Sequence, residues 1–201
     1  MTRDQAIEQL ARDDLRHLSS DQRGRLLLDW WTLDRADGGY AELPEVVRRE
    51  LERGDEPGDP EDSRYDGLLL LALERSYAGT VNGYLEARLA GIGQAVRVEG
   101  PVEPRNECPC CGWLTLSRRG EYEICPVCFW EDDSQEDDAR KADADEALDR
   151  LSSVNHLTLR EARRNFLTIG AVDSSARAHV LADGRERYAP GPRAQLREPG
   201  W

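Results

Sequence analysis

Five cysteines lie within the 21 residues from Cys108 to Cys128, and the rest of the chain has none. Four of them form two tight turns, Cys108-Pro109-Cys110-Cys111 followed by Gly112, and Cys125-Pro126-Val127-Cys128, with 13 residues, Gly112 to Ile124, between them. A C-x-x-C turn aims two thiolates at one point, and Pro and Gly suit the turn backbone. Two such turns set face to face make a tetrahedral four-sulfur site with bonds of about 2.3 Å, the geometry of structural zinc. Iron in a rubredoxin-like centre is the less favoured occupant of the same set. Cys108, Cys111, Cys125 and Cys128 are therefore the expected metal ligands. A closed set of four thiolates leaves no position for substrate or water, so the expected role is structural. Buried or disulfide-linked cysteines are the plainer alternative.

Cys110 adjoins Cys111 and cannot easily share the same tetrahedron, so packing is its expected role. The sharper alternative is a redox thiol acidified by the metal, against which the acidic neighbour Glu107 works. His156 could in principle supply a ligand, but four cysteines complete the site without it; His17 and His179 have no nucleophile or carboxylate arrangement beside them. Trp113, Phe129 and Trp130 follow the cysteine turns directly and are expected to shield the sulfurs.

The elements that must position this cluster are short. Trp113 to Leu116 and Tyr122 to Ile124 read as strands joined by a turn at Ser117 to Gly120, a hairpin between the cysteine pairs. Thr158 and Glu161 make a capping box for a helix to about Thr168, with Leu159, Ala162, Phe166 and Ile169 along one face and Gly170 as terminator. Between them, Glu131 to Asp149 holds ten acids and two bases and reads as a solvated loop or helix face.

The first hundred residues read as helices. Thr2 with Gln5 caps a segment over about 3 to 13, Ser19 or Ser20 opens another through Trp31, and Pro44 starts a third that buries Val46, Val47 and Leu51 and ends at Gly54. The run Gly54 to Ser63, with two prolines, two glycines and five acids, reads as an exposed loop. Tyr65 to Tyr77 carries the richest apolar stripe, Thr80 is expected to cap a helix to Leu89, and Ala95 to Val98 alternates like a strand. No internal repeat is apparent. The expected fold is α+β: an N-terminal small helical bundle (1–98), a zinc-ribbon-like β-hairpin module with a packed C-terminal helix (107–171), and an irregular tail (172–201).

The phrases CPCCGWLTLSRRGEYEICPVCFWEDD and NHLTLREARRNFLTIGA resemble the bacterial cysteine-rich CPCC family. Asn155, Leu159, Glu161, Ala162, Arg163, Asn165, Phe166, Gly170 and Ala171 fall on the family's helix phrase, and the resemblance spans about residues 107 to 171. It implies a metal-binding module without implying an activity, and the Asp- and Ala-rich stretch between Asp133 and Val154 departs from the family pattern.

Forty acidic against 27 basic residues give a net charge of −13, which opposes contact with phosphate backbones or anionic lipid. Nucleic acid is not an expected partner; another protein, with a basic or neutral surface, is. No run approaches the roughly 20 apolar residues of a membrane span. The opening MTRDQAIEQLARDD lacks signal-peptide character, so a cytoplasmic location is expected. No paired carboxylate, phosphate loop or triad emerges, so no reaction is assigned. The leading expectation is a non-enzymatic interaction module built on structural zinc. The alternatives are a thiol redox or metal-sensing protein using Cys110, and a nucleic-acid-binding ribbon using Arg160, Arg163 and Arg164.

Overall fold

Capping residues set the helix boundaries wherever the side chain and the turn agree. The structure, a computed structural model, describes residues 1–134 and 148–195. Thr2 and Gln5 close a reciprocal cap on α1 (Arg3–His17), and Ser19 and Gln22 do the same for α2 (Ser20–Asp29). Pro44 precedes α3 (Glu45–Arg53), which ends on Gly54 in the left-handed conformation (φ 67°). The apolar stripe forms α4 (Asp66–Ser76), followed by α5 (Asn82–Gly91).

The chain divides into two units: residues 1–78 with 85–101, and residues 79–84 with 102 onward. In the first, α4 packs against α1 and α2. Its core includes Leu27, Leu43, Val47, Tyr65, Leu68 and Leu69. Val46, expected inward, is 45% exposed, because its neighbour Val47 takes the buried face of α3. The acidic loop 54–63 is stitched down rather than free: buried Arg23 donates to the Pro60 carbonyl (2.8 Å) and Asp66 (2.6 Å), and Trp31 Nε1 donates to the Asp55 carbonyl (2.6 Å). Ala95 to Val98 forms no strand; the neighbouring Glu99 makes a single parallel bridge to Thr2.

The second unit is built around the cysteines. Its two-stranded antiparallel sheet pairs β1 (Asn106–Glu107) with β2 (Leu114–Leu116), with a register irregularity between Asn106 and Glu107. The hairpin expected from the sequence is thus paired differently. Leu114 to Leu116 pairs back across the first cysteine turn, while Tyr122 to Ile124 pairs across the second, with Ile124 bridging Glu131 and Tyr122 N donating to the Asp132 carbonyl (3.0 Å). The turn between is held by a side chain: the Glu123 carboxylate accepts from Ser117 N and Oγ, both at 2.7 Å.

Helix α6 (Leu159–Ile169) carries the expected capping box and ends on left-handed Gly170. Beyond it lie a 3₁₀ turn (Ala176–Ala178), α7 (Gly184–Arg187) and α8 (Pro192–Gln195). Residues 172–195, the described part of the segment expected to be an irregular tail, instead complete this core. Leu114 N donates to the Ala189 carbonyl (2.9 Å), Gly191 N donates to the Gly112 carbonyl (2.8 Å), and Trp113 bridges Pro190. Tyr188 and Ala194 are buried among the same residues as Trp113, Phe166 and the cysteines. Pro192 is tolerated because it is the first residue of α8, where its missing N–H would have no partner within the helix. Thr80 bridges Tyr188, and its hydroxyl accepts from Arg187 Nε (3.1 Å). Of the acidic run, residues 135–147 lie outside the described residues, but Asp132 is not solvated: it is fully buried against Arg119 Nε (2.7 Å) and Gly120 N (2.8 Å).

Candidate metal centre

The two cysteine turns have the same backbone bonding. In the first, Gly112 N donates to the Cys108 carbonyl (3.0 Å) and Cys108 N to the Trp113 carbonyl (2.9 Å); in the second, Phe129 N donates to the Cys125 carbonyl and Cys125 N to the Trp130 carbonyl, both at 2.8 Å. The residue after each second cysteine is left-handed, Gly112 at φ 82° and Phe129 at φ 71°. A short internal repeat, Cys-Pro-Xaa-Cys-Xaa-Trp, is therefore present at Cys108 to Trp113 and Cys125 to Trp130, contrary to the expectation of none. Its signal was in the sequence, masked by the substitution of Phe for Gly at the left-handed position.

The turns bring the Sγ atoms of Cys108, Cys111, Cys125 and Cys128 within 4.8 Å of one another, all four residues buried. Cys108 and Cys128 are separated by 3.6 Å, as are Cys111 and Cys125. All five cysteines are free thiols; the 3.6 Å pairs lie far beyond the roughly 2.05 Å of a disulfide. A zinc tetrahedron with bonds of about 2.3 Å has sulfur–sulfur edges of about 3.8 Å, which the two short pairs approach. The four cysteines are close enough to hold a metal ion, and their soft sulfur donors fit zinc or iron.

Burial pushes the Cys108 thiol up to about 11 and drives Cys111 and Cys128 well above the ordinary value. Cys125 is also desolvated, but hydrogen bonds from the three other thiols and from Thr115 outweigh burial and hold it well below. Thr115 Oγ1 lies 3.2 Å from Cys125 Sγ. Four thiolates together require a positive ion to offset their mutual repulsion and desolvation.

Each turn has its carbonyls occupied from outside. On the first, Arg163 donates to the Pro109 carbonyl through Nε (3.0 Å) and a terminal nitrogen (2.9 Å), while Arg193 donates to the Cys108 (3.2 Å) and Pro109 (3.0 Å) carbonyls. On the second, backbone N–H groups serve: Val172 to Cys128 and Leu181 to Pro126, both at 2.8 Å. Asn155 clamps Glu131, three residues beyond Cys128, accepting from its N–H and donating to its carbonyl, each at 2.9 Å. Trp113 meets Phe166 of α6 edge to face at 5.9 Å, and Trp130 is fully buried. The guanidinium groups also set positive charge beside a site that four thiolates would leave negative.

Cys110 is only 4% exposed and lies outside the four-sulfur group. Among the described residues no histidine joins that group: His156 is exposed, His179 stacks on Phe129 (5.1 Å), and His17 lies in the last turn of α1. The expected basic patch does not form a free surface, because Arg160 is paired with Asp149 (2.6 Å) and Arg163 is committed to Pro109. The roles of Arg163, Arg193, Thr115 and Asp132 were not read from the sequence. Their partners are carbonyls, sulfur and a turn, which residue types do not disclose.

No curated protein and no solved structure matches the chain significantly. Residues 106–186 match the family model described as Cysteine-rich CPCC, a span that takes in both cysteine turns, α6 and α7's first residues. Over residues 106–186, the chain is thus similar to the cysteine-rich CPCC family.

Proposed function

We propose that Cys108, Cys111, Cys125 and Cys128 hold one structural zinc ion, and that the module they stabilise is a non-enzymatic protein-interaction unit of a bacterial, cytoplasmic protein. The observation that carries the metal reading is the convergence of four buried sulfurs with two edges of 3.6 Å. Zinc supplies four strong bonds where a short, loop-rich segment has few alternatives, and it brings no redox chemistry. The site offers no open coordination position, which favours a scaffold over a catalyst. Cysteines clustered to hold a metal rather than paired in disulfides accord with a reducing compartment. Among the described residues, no helix is long and apolar enough to cross a membrane.

The partner class follows from charge. At −13 the chain attracts basic proteins and repels phosphate backbones. Commitment of Arg160 and Arg163 to internal partners weighs further against nucleic acid. Burial of Cys110 weighs against its use as a redox thiol, which needs access. Native mass spectrometry of protein purified under reducing conditions tests the metal reading: one zinc per chain with five intact thiols is expected. A metal-free chain lighter by two or four hydrogens would overturn it, and visible absorption with bound iron would replace zinc. For the interaction reading, affinity capture from the native host is expected to return a basic protein.

A further inference from the structure

Phe129 has a side chain where the matching position of the first cysteine turn has glycine. Its left-handed backbone (φ 71°) is uncommon for a bulky residue, and its ring is stacked on His179 at 5.1 Å. The ring lines a cavity of 280 Å³ beside the second cysteine turn. Ile124 and Val172 add apolar wall, and Glu131 and Asp173 add carboxylates; no lysine or arginine is among the described residues that line it.

The two carboxylates are held differently. Glu131 is fixed through its backbone by Asn155, and among the described residues its carboxylate has no ion pair. Asp173 accepts from Ser175 Oγ (2.6 Å) and Ala176 N (2.8 Å) through one oxygen, Oδ1. Those hydrogen bonds keep its carboxyl below the ordinary range and hence ionised. A cleft of mixed polar and apolar lining, with an aromatic wall, two carboxylates, the imidazoles of His156 and His179, and no lysine or arginine among its described lining, is complementary to a group that is flat, weakly hydrated and cationic.

We propose that this cavity receives an arginine side chain presented by a protein partner. Its methylene stem would lie along Ile124 and Val172, and its guanidinium would meet Phe129 and the Glu131 and Asp173 carboxylates. The proposal rests on the reading of this module as a protein-interaction unit and names the group that the module recognises. Arginine is favoured over lysine because a planar guanidinium stacks on a ring and forks onto a carboxylate. The chain's charge of −13 supplies long-range attraction for such a partner.

The test is a titration of the full metal-loaded chain with the peptide acetyl-Gly-Arg-Gly-amide, followed by amide NMR shifts. A citrulline peptide, neutral but nearly the same shape, and a lysine peptide serve as controls. Shifts centred on Ile124, Phe129, Val172 and Asp173 are expected with arginine, weaker ones with lysine, and none with citrulline. Glu131→Gln removes charge from a side chain that holds nothing else in place, and is expected to weaken binding about fivefold with metal content unchanged. Equal response to citrulline, shifts scattered over the surface, or full-strength binding by Glu131→Gln would overturn the proposal. The two readings fail separately. A host partner captured equally by wild type and Glu131→Gln would refute the arginine pocket alone, whereas loss of both capture and peptide binding in the loaded wild type would refute both.

Discussion

At the scale of the residue, the cysteines do not share one role, and substitution separates them. Cys125→Ser leaves three sulfurs around the centre, so the variant is expected to lose its metal and the fixed packing around Trp130. Cys110→Ser replaces a buried thiol outside the four-sulfur group and is expected to keep one metal per chain. Metal analysis of the two purified variants checks this; metal loss from Cys110→Ser would show that the fifth thiol takes part. Asp132 supplies a second prediction. Its carboxylate is fully buried against Arg119 and Gly120 N, so Asp132→Ala removes the acceptor that the guanidinium and the turn N–H share. A loss of about 3 kcal/mol is expected in urea unfolding followed by tryptophan fluorescence. The ligand cysteines were legible because only thiolates in paired turns do this chemistry. Asp132 was not, because an acid at the head of an acidic run looks the same whether its partner is water or an arginine thirteen residues earlier.

At the scale of the element, the caps were legible and the strand pairing was not. Thr2/Gln5, Ser19/Gln22 and Thr158/Glu161 each satisfy two N–H groups within four residues, so the local sequence contains the whole interaction. Thr158→Ala is accordingly expected to cost about 1 kcal/mol of stability in thermal unfolding, with the metal retained. An antiparallel hairpin forms beside the cysteines, but with a different partner strand, because two short apolar runs joined by a turn define candidates for pairing, not partners. Closing each cysteine turn on its own flanks satisfies the backbone beside the sulfurs, and the last segment then adds residues 189–191 to the first turn. That close approach makes Gly112 strict. A β-carbon there would sit 2.5 Å from Ala194 N on a left-handed backbone, so Gly112→Ala must displace α8 as well as strain the turn. A loss of about 2 kcal/mol or more is expected, with increased proteolysis near residues 190–195. An Ala variant as stable as the wild type would show that this packing contributes little.

At the scale of the molecule, the sequence showed that a helical region precedes a cysteine module, but not where the chain changes allegiance. Residues 79–84 belong with the cysteine unit because Val81 N donates to the Arg187 carbonyl (2.9 Å) and the Tyr84 hydroxyl donates to Asp183, contacts about a hundred residues apart. Each unit has its own buried core, and the cores differ in kind. Leu27, Val47, Leu68 and Leu69 close the first with aliphatic packing, whereas the second is centred on four buried sulfurs close enough to hold a metal ion. Metal removal should therefore act on one unit. With a strong chelator under reducing conditions, the near-ultraviolet dichroism from buried Trp113 and Trp130 is expected to collapse, while most far-ultraviolet helical signal, carried by α1 to α4, survives. Restoring zinc should recover the tryptophan signal in proportion to metal bound, because the binding free energy of a structural zinc is spent on folding the segment that holds it. Loss of all helical signal in one step would instead mean that the first unit depends on the second. An unchanged tryptophan signal in the metal-free chain would mean that α6 and residues 188–194 suffice to hold the core without it.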